Sequence, residues 1–358
     1  MQYDNKKSQT TTMLEQILKK IRSFGIPRII IILFLLSLWI SAAFLSIPFP
    51  ALLSDTFVRL GMNTVLTLSM LPSILVGTSL FFGLPLGIIC GLLGGVMSIE
   101  LNLKGLTAFF AAIGFSIPLA ILVGYGYGLL LNRVKGSEMT VGTYVGFAFV
   151  SLMSFGWVTL PFKNPEMAWA IGKGIRVTVS LEGRFSNVLN KLWAFELYGI
   201  KIPTGALVFL GVMCLIMGLF LRTRTGLAMQ ECGMNPKFAK ASGIDVDRMR
   251  ILGTIISTIL GAIGILTYAQ GFGFLQLYEA PMYMGFIAAA AILIGGATLK
   301  TAKISHVIIG TFLFQGILVV ALPVANTVAT LGSLAEISRI IVSNGIILYA
   351  LAQKGGNE

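Results

Sequence analysis

The stretch Arg222 to Arg250, RTRTGLAMQECGMNPKFAKASGIDVDRMR, decides how this chain is read. It is the only long polar, basic interruption in the C-terminal half, and strongly apolar runs flank it on both sides. A segment placed like that is the face a membrane protein shows to one aqueous compartment. Within it, Asn235-Pro236 followed by KFAKAS and Gly243 spells a complete miniature helix. Asn caps the first amide groups, Pro is tolerated at the first helical position, and Gly closes the far end in a left-handed turn. The span Pro236 to Ser242, at about 1.5 Å per residue, makes a rod of roughly 10 Å, too short to be stable alone in water. Such a rod requires a surface to pack against.

Composition extends that reading to the whole chain. Of its 358 residues 56% are hydrophobic and 11% charged, and the mean hydropathy is +0.89. A soluble domain does not hide that much apolar surface, so an all-α polytopic membrane protein is expected. The net charge of +12 raises nucleic acid as a partner, but the basic residues are spread among short loops between apolar runs. Topology in a lipid bilayer accounts for them, and no nucleic-acid partner is expected. Cys90 and Cys214 fall in apolar spans and Cys232 in the polar loop, which predicts no disulfide framework. The run starting near Ile29 is long enough to span, and Ile47, Pro48 and Phe49 make no small-residue cleavage site, so it reads as a retained anchor.

Residues 1–28 form a basic N-terminal segment, in which Met13 to Phe24 reads either as an amphipathic helix on the headgroups or as a solvated tail. Apolar spans follow at 29–47, 62–82, 84–99, 105–131, 140–160, 203–221, 251–270, 282–299, 304–322 and 336–352. That is about ten transmembrane helices in one domain over 29–352, with a short tail at 353–358. The third span is short and separated from the second only by Gly83-Leu84-Pro85, so one of these two, and also the eighth, is read as broken or re-entrant. With the N-terminus inside, the inner segments carry most of the 26 Lys and Arg residues, which places both termini and the 222–250 loop in the cytoplasm.

The outer loop 161–202 holds Trp169, Trp193, Lys163, Arg176, Glu182, Arg184 and Glu196, and is long enough for a short surface helix. Its aromatic residues mark the membrane interface on one reading and a docking surface for an extracytoplasmic partner on the other. Gly87, Gly91 and Gly95 make two small-xxx-small steps and Gly124 with Gly128 a third, the spacing of close helix contacts. Pro72 and Pro118 predict kinks in their spans.

Chemistry is conspicuously absent. Nearly every Asp and Glu is read as lying in a loop or at a span end, with Glu100, Glu138, Glu279 and Glu336 approaching the spans most closely, which argues against ion coupling through side chains. His306 is the single histidine and makes neither a metal site nor a triad alone. No GxxxxGK[ST] loop occurs, since Gly172-Lys173-Gly174 lacks the Ser or Thr. No catalytic residue, metal site or bound cofactor is expected in this chain. Asn63 and Thr67 stand one turn apart, as do Ser69 and Ser73, with Thr78 and Ser79 beyond. These uncharged groups suit either a path for a neutral solute or bonds back to their own helix carbonyls.

At the central loop a resemblance becomes specific. The run GIKIPTGALVFLGVMCLIMGLFLRTRTG, then Gly233, Asn235, Ala239 and Ser242-Gly243-Ile244, resembles the permease subunits of bacterial ABC importers of the ribose/galactose type. Their relatives carry nucleosides, autoinducer sugars and branched-chain amino acids. The family pattern is close to TRxGxxxxAxGxNxxAAxxSGI, met here by Thr223-Arg224, Gly226, Gly233, Asn235, Ala239 and Ser242-Gly243-Ile244; Gly295-Gly296 and Thr298 resemble its next block. The departures are Glu231-Cys232, Lys300-Thr301-Ala302-Lys303 and Pro281-Met282-Tyr283-Met284.

The resemblance implies a bacterial inner-membrane importer subunit. It would work with a second permease copy or paralogue, a soluble extracytoplasmic solute-binding protein and cytoplasmic ATPase subunits that carry the ATP and magnesium. Pro236 to Ser242 would be the coupling helix, with Phe238 as anchor and Lys237 and Lys240 at its rim. A stand-alone carrier or channel for a small neutral solute is the alternative.

Overall fold

The computed structural model of the protein describes residues 26–168 and 175–328, together with 340, 341, 344 and 345. All but those four residues of the tenth expected span at 336–352, the segment Met13 to Phe24, Trp169, Gly172 to Gly174 and the tail therefore lie outside the described residues. The helices, in chain order, are α1 (Ile26–Phe44), α2 (Phe49–Leu68), α3 (Met70–Leu75), α4 (Leu84–Glu100), α5 (Gly105–Arg133), α6 (Glu138–Thr159), α7 (Val188–Lys191), α8 (Thr204–Leu221), α9 (Arg224–Met234), α10 (Pro236–Ala241), α11 (Val246–Phe272), α12 (Glu279–Ile294) and α13 (Ile304–Val328). Six of these stretches are long and apolar enough to cross a membrane, taking α2 and α3 together; α1, α4 and α12 are apolar but shorter. Among the described residues six candidate spans are thus found, where hydropathy predicts about ten over the whole chain.

α11 is the axis of the bundle. It packs on α2, α3, α4 and α5, and its neighbours approach it through glycine. A Cβ at Gly87 would lie 2.7 Å from the Thr258 carbonyl oxygen, one at Gly91 2.4 Å from that of Ala262, and one at Gly95 3.2 Å from Leu266. The ascending order on both helices makes α4 and α11 parallel. Gly124 faces Ile255 and Thr258 while Gly128 faces Ile251, so α5 runs antiparallel to them. In an apolar solvent helices gain little from hiding hydrocarbon, and close backbone approach is what adds attraction. Gly91→Ala is therefore expected to lower the thermal midpoint in detergent, overpacking costing about 1–3 kcal/mol. Gly126→Ala, with nothing within 4 Å of the added carbon, is expected to leave it unchanged, and equal effects would refute this packing account.

The second span departs from the sequence reading. α2 begins at Phe49, not at residue 62, because its first three turns carry Asp55 and Arg59 and so fall below an apolar threshold. Of the second and third spans, it is the second that is broken: the helix is interrupted at Ser69, resumes as α3, and turns back over residues 76–83. Pro72 explains the interruption, since it has no N–H to donate to the Leu68 carbonyl. α4 and α12 are short but continuous.

On the face opposite the 222–250 loop, the 161–202 segment is folded. It contains strands, a departure from an all-α reading: β1 (Thr178–Ser180) pairs antiparallel with β4 (Phe274–Gln276), and β2 (Phe195–Leu197) with β3 (Ile200–Ile202). The short expected surface helix is α7. Arg184 lies buried beneath the segment, holding Glu166 through Nε at 2.7 Å and Nη2 at 3.0 Å and donating to Asn102 Oδ1 at 2.8 Å. The guanidinium holds the Glu166 carboxyl below the usual carboxylate range. A depressed carboxylate pKa stabilises the fold above the unfolded value of about 4.3 and loses that contribution as pH falls through the folded value. Wild type is thus expected to melt above Glu166→Gln near neutral pH and to converge with it below pH ~4; a pH-independent gap would overturn this.

Candidate functional site

The polar loop folds as two helices set on the broken second span. Thr223 starts α9, its hydroxyl oxygen accepting from Gly226 N–H at 3.2 Å. Gly226 permits a sharp corner with α8, because a Cβ there would sit 2.2 Å from the Phe220 carbonyl oxygen. Gln230 closes that corner by donating from Nε2 to the carbonyls of Leu221 and Gly226 at 3.0 and 3.2 Å. At the other end of α9, Gly233 lies against the turn that follows α3: its Cβ would be 2.2 Å from the Leu75 carbonyl oxygen. Gly77, in the left-handed region at φ 80°, faces it in return with its own Cβ position 3.1 Å from Gly233 Cα. No side chain intervenes between Gly233 and the Leu75–Gly77 turn.

α10 follows at once. Asn235 accepts from Phe238 N–H at 3.1 Å through its side chain, with Pro236 in the first turn. The helix ends at Ala241, one residue earlier than the sequence reading, with Ser242 as its cap and Gly243 at φ 81°. Ile244 N–H reaches back to the Ala239 carbonyl at 3.0 Å, which completes the C-terminal turn. Ala239 is fully buried in a small apolar cluster with Val76, Met229 and Cys232. Phe238 is 57% exposed and Met234 71% exposed, with Lys237 and Lys240 exposed beside them. One side of the rod is thus seated and the other presents an aromatic ring ringed by positive charge. Burial, Asp245 and Glu231 push the Cys232 thiol up, and its side chain is packed inside that cluster.

The chain then enters α11, whose first turn is bound to the α5–α6 corner. Asp245 caps it by accepting from Arg248 N–H at 3.1 Å. Asn132 donates to the Asp247 carbonyl at 2.9 Å and Lys135 pairs with the Asp247 carboxylate. Arg250 reaches Glu138 at 2.5 Å, with the two side chains 10% and 14% exposed. Sequence reasoning passed over this pair, having placed Glu138 at a span end without a partner.

The second candidate is a cavity of about 350 Å³ in the half of the bundle away from the loop. Its wall includes Asp55, Arg59, Asn63, Tyr268, Phe272 and Gln315. Of the four residues expected to line a solute path, only Asn63 faces it. Thr67 is buried and accepts from the Thr311 hydroxyl at 3.1 Å; Ser69 donates to the Leu66 carbonyl at 2.6 Å. Ser73 is paired with the Thr78 hydroxyl at 2.8 Å and its N–H donates to Ser257 Oγ. Those three hold the broken helix together. Asp55 and Arg59 correct the expectation that charge stays out of the spans: both lie inside α2. Among the described residues there is no group of three or more His, Cys, Asp or Glu that could hold a metal ion.

Comparison with known proteins bears on what this arrangement is for. A nucleoside ABC transporter permease protein of Lactococcus lactis subsp. cremoris is 26% identical over 277 residues, covering 70% of this chain and 83% of that protein. A guanosine ABC transporter permease protein of Bacillus subtilis is 32% identical over 108 residues, covering 30% of this chain and 32% of that protein. A galactofuranose transporter permease protein of Escherichia coli is 22% identical over 236 residues, covering 62% and 61%. The model of one family, branched-chain amino acid transport system / permease component, matches residues 31–351. With that match running almost the full length of the chain, and a loop-borne helix seated on a broken span beneath a cavity, this polypeptide belongs to the family of permease components of that transport system.

Proposed function

We propose that the chain is the permease subunit of an ATP-binding-cassette importer, moving a sugar or nucleoside into the cytoplasm by alternating access. α10 is the coupling helix, gripped by a separate cytoplasmic ATPase subunit that carries the ATP and magnesium. A second permease, identical or paralogous, completes the pathway, and a solute-binding protein delivers the solute from outside. Both termini and the 222–250 loop are cytoplasmic, in a bacterial inner membrane.

The observation that carries this reading is the way α10 is mounted. A capped helix with one buried face and one aromatic, basic face is a handle, and the glycine contact between α9 and the break joins it to the second span without a flexible intermediary. Displacement of the rod moves α3 and α11 together.

The test is uptake into proteoliposomes with and without the partner ATPase. Uptake should require ATP and the partner; uptake by this chain alone would reject the reading in favour of a stand-alone carrier. Gly243→Val places a β-branched residue at φ 81°, which costs about 1–3 kcal/mol of local strain and unwinds the end of the rod. It is expected to abolish solute-coupled ATP hydrolysis while insertion persists, as is Asn235→Leu. Normal coupling in both variants would count against the assignment of α10.

A further inference from the structure

We infer that Asp55 and Arg59 are solute-contact residues of the cavity, and that they select an uncharged solute carrying hydrogen-bond donors and acceptors beside an apolar ring face. The inference rests on the importer reading and adds to it the residues that read the cargo. The two side chains stand one turn apart on α2, so both project from one face of the helix into the same space. Among the described residues neither side chain makes a hydrogen bond or an ion pair. Charges inside a spanning helix are costly and persist where they face a cavity or meet a partner. These two have the cavity and lack the partner.

The rest of the wall narrows the chemistry. Tyr268 and Phe272, one turn apart on α11, stack with ring centroids 5.4 Å apart and planes at 16°, making a flat apolar surface. Asn63 and Gln315 are nearly buried and add uncharged amide groups. A wall with one carboxylate and one guanidinium has no net charge, so as a whole it favours neither an anion nor a cation. The carboxylate accepts from hydroxyl or N–H groups, the guanidinium donates to ring oxygen, hydroxyl or carbonyl groups, and the aromatic slab takes a flat or weakly polar ring face. A free sugar and a nucleoside share that chemistry.

The experiment is ATP-dependent uptake by the intact importer, comparing tritiated guanosine, uridine, ribose and galactose with tritiated glutamate, lysine and leucine in wild type, Asp55→Asn and Arg59→Gln. Each neutralisation is expected to lower uptake of the carried solute at least tenfold. The amount of assembled complex and its melting temperature should stay as in wild type, because neither side chain holds the fold. Wild-type uptake that proceeds without ATP would sink the importer reading and this inference with it. ATP-dependent uptake retained in full by both variants would sink this inference alone. Uptake confined to an anion, a cation or a zwitterionic amino acid would overturn the assigned class. Loss for guanosine or uridine identifies a nucleoside as the cargo, loss for ribose or galactose a sugar, and either supports the contact role.

Discussion

Gly233→Val should yield a protein that inserts and binds its ATPase but transports at least tenfold more slowly. The α-carbon of Gly233 lies so close to the chain after α3 that a Cβ would fall 2.2 Å from the Leu75 carbonyl oxygen and 2.9 Å from its carbon. Those are backbone atoms, which cannot rotate away as a side-chain tip can. Accommodating valine requires α9 to lift off the break, a strain of about 1–3 kcal/mol when shared between the two segments. The rod on α10 is carried on α9, so lifting α9 leaves the rod intact but disconnects it from the second span. The measurement is solute moved per ATP hydrolysed: a fall in that ratio with hydrolysis retained is the expected signature. An unchanged ratio would show that force reaches the spans through α11 alone.

The second large effect is expected at Arg250 and Glu138. Removing one member of a buried ion pair leaves the other charge without compensation, at a cost of about 3–5 kcal/mol. Arg250→Met and Glu138→Leu should each lower the melting temperature in detergent markedly. The double variant should recover much of the loss, because two apolar groups of similar bulk leave no orphaned charge. Full additivity of the two single effects would refute the coupling. The bond from the Asn132 side-chain amide to the Asp247 carbonyl and the Lys135–Asp247 pair keep the corner docked in the variants, so the comparison reads the pair and not the loss of the whole interface.

What was legible in the sequence was local. Asn235, Pro236 and Gly243 announce α10 because caps and left-handed turns obey rules that span only a few residues. The glycine spacings point to close contacts for the same reason, and the structure supplies the partner they meet, α11. Residues 49–61 were lost because Asp55 and Arg59 look like loop residues to a hydropathy window, although a cavity wall inside a bundle is where charge is tolerated. The strands were invisible for another reason. β1, at Thr178–Ser180, pairs with β4, far along the chain at Phe274–Gln276, and three-residue strands carry no periodicity of their own. The contact of Gly233 with the Leu75–Gly77 turn is likewise long-range. A glycine in the sequence states that something comes close, and only the fold states what.

α11 touches both candidate sites. Its 27 residues make a rod of about 40 Å, which begins at the Glu138 anchorage and ends with Tyr268 and Phe272 in the cavity wall. Adding a single amino acid anywhere along it would swing the aromatic pair by about 100° relative to the anchorage, and adding seven would restore the angle to within about 20° but lengthen the rod by about 10 Å. Phase and reach cannot both be preserved, so this segment admits no change of length, whereas the loops around it do.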